Sequence, residues 1–132
     1  IILICISTDI GGYIFGRIFK GPKLTKISPN KTYSGVIGAY VFSFFLTIYI
    51  INTPFFFLNI FEVNLNMLLF IFLVSTVSQI GDIIISYFKR LSKIKDTGKI
   101  IPGHGGLLDR IDGMIFAFPF SYVLLSINLF NI

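Results

Sequence analysis

The sequence has few charges, one cysteine and no tryptophan. Charged residues make up 13% of its 132 positions, against roughly 25% in an ordinary soluble domain, which excludes a soluble globular protein. Disorder is excluded as well, because disordered chains combine high charge with low hydrophobicity. The lone cysteine, Cys5, allows neither an internal disulfide nor a thiolate metal site. It lies in an apolar run, so we expect it to be a small core residue.

Long apolar stretches dominate the chain instead. Hydrophobic residues account for 55% of the sequence, including sixteen Phe, and the mean hydropathy is +0.87. Four stretches are each close to the roughly 17 to 25 residues that a helix needs to cross a bilayer. They run approximately over Ile1–Phe15, Gly35–Ile51, Met67–Phe88 and Ile111–Phe130. The sequence therefore predicts an all-α, polytopic membrane helix bundle with about four transmembrane helices.

The basic residues fall into two blocks separated by two predicted crossings. The connection from Asn52 to Asn66 contains no Lys or Arg, so the positive-inside rule places both blocks in the cytoplasm and this connection on the other side. The aromatic residues lie in apolar runs rather than among the basic residues, which argues against a nucleic-acid partner. The two blocks are Arg17, Lys20, Lys23, Lys26 and Lys31, then Lys89, Arg90, Lys93, Lys95, Lys99 and Arg110.

Four of the six acidic residues lie in or at the ends of apolar segments: Asp9, Asp82, Asp109 and Asp112. An aspartate at the centre of a membrane helix costs about 2.5 to 3.5 kcal/mol on insertion scales, so such residues usually face a polar cavity and mark a functional site. The alternative for each is a carboxylate near the interface, paired with a lysine or capping a helix.

Helical spacing places Gln79, Asp82, Ser86 and Lys89 along one stripe of the third segment. Gly81 lies beside this stripe and allows close approach of another helix. A polar stripe then runs toward the cytoplasm.

Asp109 and Asp112 are three residues apart and share a helix face if the helix begins at Leu108. That spacing suits two carboxylates that share a cation, and oxygen ligands without Cys or a second His favour Mg²⁺ over zinc. The alternative is a helix N-terminus, where acids interact favourably with the helix dipole.

Two loops combine cations with small residues and suit phosphate. In the segment 93–106, glycine-rich backbone can turn N–H groups onto an anion, although Gly-Gly alone more often marks a tight turn. There His104 is either an acid or base or a residue that orders the loop. Ser28, Lys31 and Thr32 precede a membrane helix and predict either an anion-binding cap or a plain N-cap.

The run from Ser86 to Asp112 closely resembles the signature of the phosphatidate cytidylyltransferase family, the CDP-diacylglycerol synthases. The upstream pieces Asp9 with Gly16-Arg17, Ser28-Pro29-x-Lys31-Thr32 and Gly81-Asp82 also resemble that family. Ser34 departs from the Glu or Gln usual there, and Gly12 stands where Ala is common. Family members are about twice as long, so we expect residues 1–132 to be the carboxy-terminal catalytic portion, lacking amino-terminal helices.

The resemblance implies an enzyme that makes CDP-diacylglycerol and pyrophosphate from CTP and phosphatidate, with Mg²⁺ as cofactor, in a bacterial inner membrane. It implies Asp82, Asp109 and Asp112 as metal ligands and catalytic residues, with Asp9 a weaker metal candidate. Lys89 and Arg110 are the expected catalytic cations. The expected substrate-binding residues are Ser28, Lys31, Thr32, Ser86, Arg90, Lys95, Gly103, His104, Gly105 and Gly106.

Three alternatives stay open at this point. A CTP-dependent polyprenol or phytol kinase shares the cations and the membrane setting, and a non-enzymatic transporter module also uses buried acids to bind ions. A CTP-using synthase acting on another lipid phosphate is chemically almost the same. The oligomeric state is also open, with a homodimer as one option.

Overall fold

The computed structural model describes residues 1–25, 28, 31–53, 63–94, 97 and 108–127, without the side chains of residues 108–110. These residues form four α-helices: α1 (Ile2–Phe19), α2 (Tyr33–Asn52), α3 (Leu65–Leu91) and α4 (Leu108–Ser126). No strand occurs among them. The predicted all-α architecture is confirmed.

Three of the helices, α1, α2 and α3, are long and apolar enough to cross a membrane. The apolar part of α4, Ile111–Ser126, is shorter. On α2, every fourth residue presents a large apolar side chain at the surface, as expected for a helix that faces lipid rather than water. These exposed residues are Tyr33, Ile37, Val41, Phe45 and Tyr49. The protein is an integral membrane protein.

Glycines bring α1 and α2 together in antiparallel packing. A Cβ added to Gly11 would lie 2.5 Å from Phe42 Cβ and 2.8 Å from Gly38 O, so no side chain fits there. Gly16, further along α1, packs against Gly35 near the start of α2. Small residues allow membrane helices to approach this closely, where van der Waals contacts replace the hydrophobic effect.

The third helix also runs antiparallel to α2. Tyr40 Oη lies 3.0 Å from Thr76 Oγ1, while Lys31, just before α2, reaches Asp82 further along α3. Because both α1 and α3 are antiparallel to α2, they run parallel to each other. Their polar residues therefore follow the same direction through the bundle.

The fourth helix crosses α3 at a pair of glycines. A Cβ added to Gly81 would lie 3.3 Å from Gly113 Cα and 2.8 Å from the Phe116 ring. Gly81 thus permits the close helix approach that its position in the sequence predicts. The crossing sets the turn of α4 that carries Asp112 against α3.

The core contains both apolar and small polar side chains. Cys5, Ile71, Val74 and Ala117 are fully buried, and the prediction for Cys5 is confirmed. Buried hydroxyl groups mostly bond to the preceding turn of their own helix, as in Thr8 Oγ1 to Ile4 O at 2.7 Å. Such bonds satisfy the hydroxyl groups where water is absent.

The segment between α1 and α2 folds back on itself. Lys20 ends α1 in the left-handed conformation, with φ 44°, and its N–H donates to Gly16 O. Leu24 N then donates to Lys31 O at 2.8 Å, and Lys23 and Thr32 form an isolated antiparallel bridge. This return holds Thr32 beside Gly16 of α1 and Lys31 beside the turn of α3 that carries Asp82.

Candidate active site

A cleft of about 360 Å³ lies among the four helices and the segment between α1 and α2. Seven of the site residues predicted from sequence line it, and they come from α1, α3, α4 and the segment between α1 and α2. They are Asp9, Ser28, Lys31, Thr32, Asp82, Ser86 and Asp112. The cleft therefore gathers residues that are far apart in the sequence.

Asp82 forms the first ion pair of the cleft. Its Oδ2 lies 3.2 Å from Lys31 Nζ, and the two side chains are 18% and 27% exposed. Lys31 Nζ also donates to Gln79 O at 3.5 Å. The other oxygen, Asp82 Oδ1, is buried and has no hydrogen-bond partner in the described part of the chain. It packs against Gly113, where an added Cβ would lie 2.6 Å away.

Asp112 forms the second ion pair. Its Oδ2 lies 3.4 Å from Lys89 Nζ, with side-chain exposures of 14% and 13%. Its Oδ1 accepts a hydrogen bond from Gly113 N at 3.0 Å. This pair joins α4 to the last turn of α3, and it directs the Asp112 carboxylate toward the turn of α3 that carries Asp82.

Three carboxylates and two lysines therefore share this region. Asp9, Asp82 and Asp112 are close enough to interact electrostatically, and among the described side chains Asp82 and Asp112 each form an ion pair with a lysine. From sequence, pairing with a lysine was one alternative for each acid. The structure shows such a pair for Asp82 and for Asp112, and both carboxylates line the cleft. With all three carboxyl groups ionised, these five residues carry one negative charge in excess, which a bound cation would balance.

The donor set suits a hard divalent cation. Carboxylate oxygens are the ligands that Mg²⁺ prefers, and the unpartnered Asp82 Oδ1 faces the turn of α4 that bears Asp112. Among the side chains that the structure describes, no three Asp, Glu, His or Cys groups lie close enough together to hold a metal ion. The remaining predicted ligand, Asp109, has a side chain outside that description.

Thr32 is the N-cap of α2. Its Oγ1 accepts a hydrogen bond from Gly35 N at 3.1 Å, which is the plain N-cap interpretation of the motif. Ser28 precedes it in a tight turn, in which Lys31 N donates to Ser28 O at 3.0 Å. Both residues also line the cleft, so the positive end of the α2 dipole lies at its edge.

The polar stripe predicted on α3 is confirmed. Gln79, Asp82 and Ser86 line the cleft, and Lys89 follows one turn later in its pair with Asp112. Arg90 is exposed and does not belong to the described lining.

Several predicted residues fall outside the described part of the chain. They are Lys95, Gly103, His104, Gly105 and Gly106, together with the side chains of Asp109 and Arg110. Their roles stay predictions.

Some residues of the lining were not predicted. Thr8 and Tyr13 of α1 line the cleft on either side of Asp9. Tyr13 Oη also accepts a hydrogen bond from Arg17 Nη1 at 2.8 Å. Helical spacing from Asp9 places Tyr13 on the same face, which is the signal that could have identified it.

Comparison with known proteins shows the family of this chain. The model of the cytidylyltransferase family matches residues 1–128. A phosphatidate cytidylyltransferase of Staphylococcus haemolyticus is 42% identical over 120 residues, covering 89% of this chain and 44% of the relative. The phosphatidate cytidylyltransferase of Rickettsia typhi is 39% identical over 127 residues, covering 94% and 54%. That of Staphylococcus aureus strain COL is 41% identical over 125 residues, covering 93% and 46%. The chain spans about half the length of these curated relatives.

Proposed function

Because the chain belongs to the cytidylyltransferase family, we propose that the full-length protein transfers a cytidylyl group from CTP to phosphatidate in phospholipid biosynthesis. The observation that carries this proposal is the cleft that Lys31, Asp82 and Asp112 line within a bundle of apolar helices, with Lys89 paired to Asp112 beside it. A site at that position can receive a lipid from the bilayer and a nucleotide from water.

The chemistry requires little acid or base catalysis. A phosphate oxygen of phosphatidate attacks the α-phosphorus of CTP, and a new P–O bond forms. The bond from the α-phosphorus to the oxygen that bridges to the β-phosphorus breaks, and its electron pair leaves with pyrophosphate. The attacking oxygen of a phosphate monoester is already anionic near neutral pH, so no strong general base is needed.

The main obstacle is the repulsion between two anionic substrates. Positioning and electrostatic stabilisation dominate phosphoryl-type transfer. Lys31 lies at the edge of the cleft beside the N-terminus of α2 and can contact a substrate phosphate when it leaves Asp82. Ser28 and Thr32 lie next to it with hydroxyl groups suited to phosphate oxygens. Lys89 holds Asp112 in place.

A divalent cation fits the same cleft. We propose that Asp82 and Asp112 hold Mg²⁺, with Asp109 as a further ligand expected from sequence and Asp9 nearby. When bound, Mg²⁺ neutralises phosphate charge and orients the triphosphate. Asp82 Oδ1 supports this assignment, because it is buried with no partner among the described residues, and a buried carboxylate oxygen without a partner is costly.

The charge pattern supports one orientation in the membrane. With both basic blocks cytoplasmic, the ends of α1 and α3 that carry Lys20 and Arg90 face the cytoplasm, as does the start of α2. CTP would then enter from the cytoplasm. A bacterial inner membrane is the setting that this orientation and the bacterial relatives support.

Position-specific labelling of CTP tests the reaction. The full-length protein is incubated in vesicles with phosphatidate, Mg²⁺ and CTP labelled at either the α- or the γ-phosphorus. We expect α-label in the lipid and γ-label in pyrophosphate. Label from the γ-position in lipid, with release of CDP, would identify a kinase. The assay is repeated with polyprenols and with other lipid phosphates as acceptors. If no lipid is labelled with any of these acceptors, transferase function is rejected and an ion-binding module is favoured.

A further inference from the structure

Gln79 is a cleft residue with an unsatisfied donor. It lines the cleft on α3, and its amide nitrogen, Nε2, is buried without a hydrogen-bond partner among the described residues. Buried donors are nearly always paired, with protein, with water or with a ligand, so this donor can serve a ligand that enters the cleft. The position of this donor beside the substrate cleft indicates that a ligand supplies the missing acceptor.

The depth of Gln79 limits which part of a ligand can reach it. Gln79 precedes Asp82 by three residues on α3, a rise of about 4.5 Å along the helix axis away from the cytoplasmic end. One turn further inside, Ser75 accepts a hydrogen bond from Thr8 at 2.9 Å. Gln79 therefore lies between the Lys31–Asp82 pair and the interior of the bundle.

The surroundings of Gln79 favour a neutral acceptor over a phosphate. The helix faces around it contribute Asp9, Gly12 and Ala39 to the lining. An anionic phosphate placed there would face the Asp9 carboxylate. Lys31, the cation of the described lining, contacts Asp82 and the backbone oxygen of Gln79, so the part of a lipid next to a phosphate bound at Lys31 can reach the Gln79 side chain.

A diacyl lipid phosphate has a neutral acceptor at the required depth. Its ester carbonyls lie next to the phosphate on the hydrocarbon side, and they accept hydrogen bonds but cannot donate them. We propose that Gln79 Nε2 donates a hydrogen bond to an ester carbonyl of the lipid substrate and thereby favours diacyl over ether lipid phosphates. This inference rests on the proposed transferase function.

Paired lipid substrates test the proposal. The full-length protein is assayed with CTP and either diacyl phosphatidate or its dialkyl ether analogue of equal chain length. We expect the wild type to favour the ester in kcat/KM by about 3- to 10-fold, the range for one neutral hydrogen bond. Gln79→Met, which keeps the length of the side chain and removes the amide, should reduce this ratio to below about twofold and leave the KM for CTP unchanged.

The control variant lies one turn earlier on the same helix. Thr76 hydrogen-bonds Tyr40 and is not part of the described lining, so Thr76→Val should keep the ester-to-ether ratio of the wild type. A purely structural role of Gln79 would lower both activities together and leave the ratio unchanged.

Equal use of ester and ether lipids by the wild type would overturn the proposal, and so would an unchanged ester-to-ether ratio in Gln79→Met. An effect of Gln79→Met confined to a higher KM for CTP would also overturn it, because the amide would then bind the nucleotide. If Gln79→Met does not reach the membrane, Gln79→Asn, which withdraws the amide by one methylene, must lower the ratio. Failure of the transferase function itself is distinct, because the wild type would then make no CDP-lipid from either substrate.

Discussion

Lys31 Nζ lies 3.2 Å from Asp82 Oδ2, so the segment before α2 is tied to the C-terminal half of α3. The same nitrogen reaches the backbone oxygen of Gln79 at 3.5 Å. The pair keeps a phosphate-binding candidate and a metal-ligand candidate in direct contact. A bound phosphate and a bound metal ion would therefore either separate Lys31 from Asp82 or contact both side chains together.

Replacing Lys31 tests its part in substrate binding. In the full-length protein, Lys31→Met should lower kcat/KM for CDP-lipid synthesis by about 10- to 100-fold, the range for loss of a hydrogen bond with a charged partner. Lys31→Arg should retain part of the activity, because the charge remains. The matched control is Lys23→Met, in the same basic block and exposed, which should stay within about twofold. Equal effects of the two Met variants would return Lys31 to the role of an orienting charge.

Replacing the aspartates of the cleft should lower turnover to different extents. We expect Asp82→Asn to abolish measurable turnover, since it removes a charged ligand from an apolar environment, and Asp9→Asn to have a smaller effect because its role is less direct. Both variants should still insert into the membrane, which fractionation and immunoblotting measure. Glu62→Gln, in the connection predicted on the opposite side of the membrane, is the control. Near-normal turnover in Asp82→Asn would remove Asp82 from the site.

Two glycine-to-alanine substitutions compare a position where no side chain fits with a position where a methyl group fits. The Cβ of Ala at position 113 would lie 2.6 Å from Asp82 Oδ1 and Ser78 Oγ, so Gly113→Ala should displace the carboxylate and reduce kcat at least about tenfold. At Gly12 the nearest atoms lie 3.7 Å from an added Cβ, which is ordinary contact, and Gly12→Ala should remain within about twofold of wild type. Comparable activities of the two variants would contradict the close crossing at Gly113.

A hydrogen bond away from the cleft should affect stability rather than catalysis. Tyr40→Phe removes the bond to Thr76 and should lower the free energy of unfolding by about 0.6 kcal/mol, the average for such bonds in membrane proteins. Thermal unfolding in detergent measures this change, and kcat/KM should stay within about twofold. The control is Tyr49→Phe on the exposed face of α2, where no change in stability is expected. A large loss of activity in Tyr40→Phe would show that this contact shapes the site.

The helices and their polar faces were largely predictable from sequence. Hydropathy fixes the four segments to within a few residues, because the bilayer sets the length of each apolar run. The periodicity of α3 placed Gln79, Asp82 and Ser86 on one face, and all three line the cleft. The helix ends were less predictable. The apolar run of the first segment ends near Phe15, but α1 continues past Arg17 to Phe19. A helix can extend beyond its apolar run when its last residues still pack and form hydrogen bonds.

The pairing of charges was not predictable. No local pattern links Lys31 with Asp82 or Lys89 with Asp112, since these contacts depend on how α2 and α4 pack against α3. The space constraint at Gly113 is also invisible in the sequence, because it arises from a side chain on another helix. Sequence predicts candidate residues for the chemistry, whereas the packing of the helices decides which of them meet.

Binding of Mn²⁺ to the full-length protein, followed by electron paramagnetic resonance, tests whether the carboxylates of α3 and α4 hold one divalent cation. Mn²⁺ takes the same oxygen ligands as Mg²⁺. Loss of a residue that only supports a metal ligand already costs about 10- to 100-fold in affinity. We therefore expect Asp82→Asn and Asp112→Asn each to weaken Mn²⁺ binding at least about tenfold, with Glu62→Gln unchanged. Wild-type affinity in both Asn variants would contradict a shared cation site.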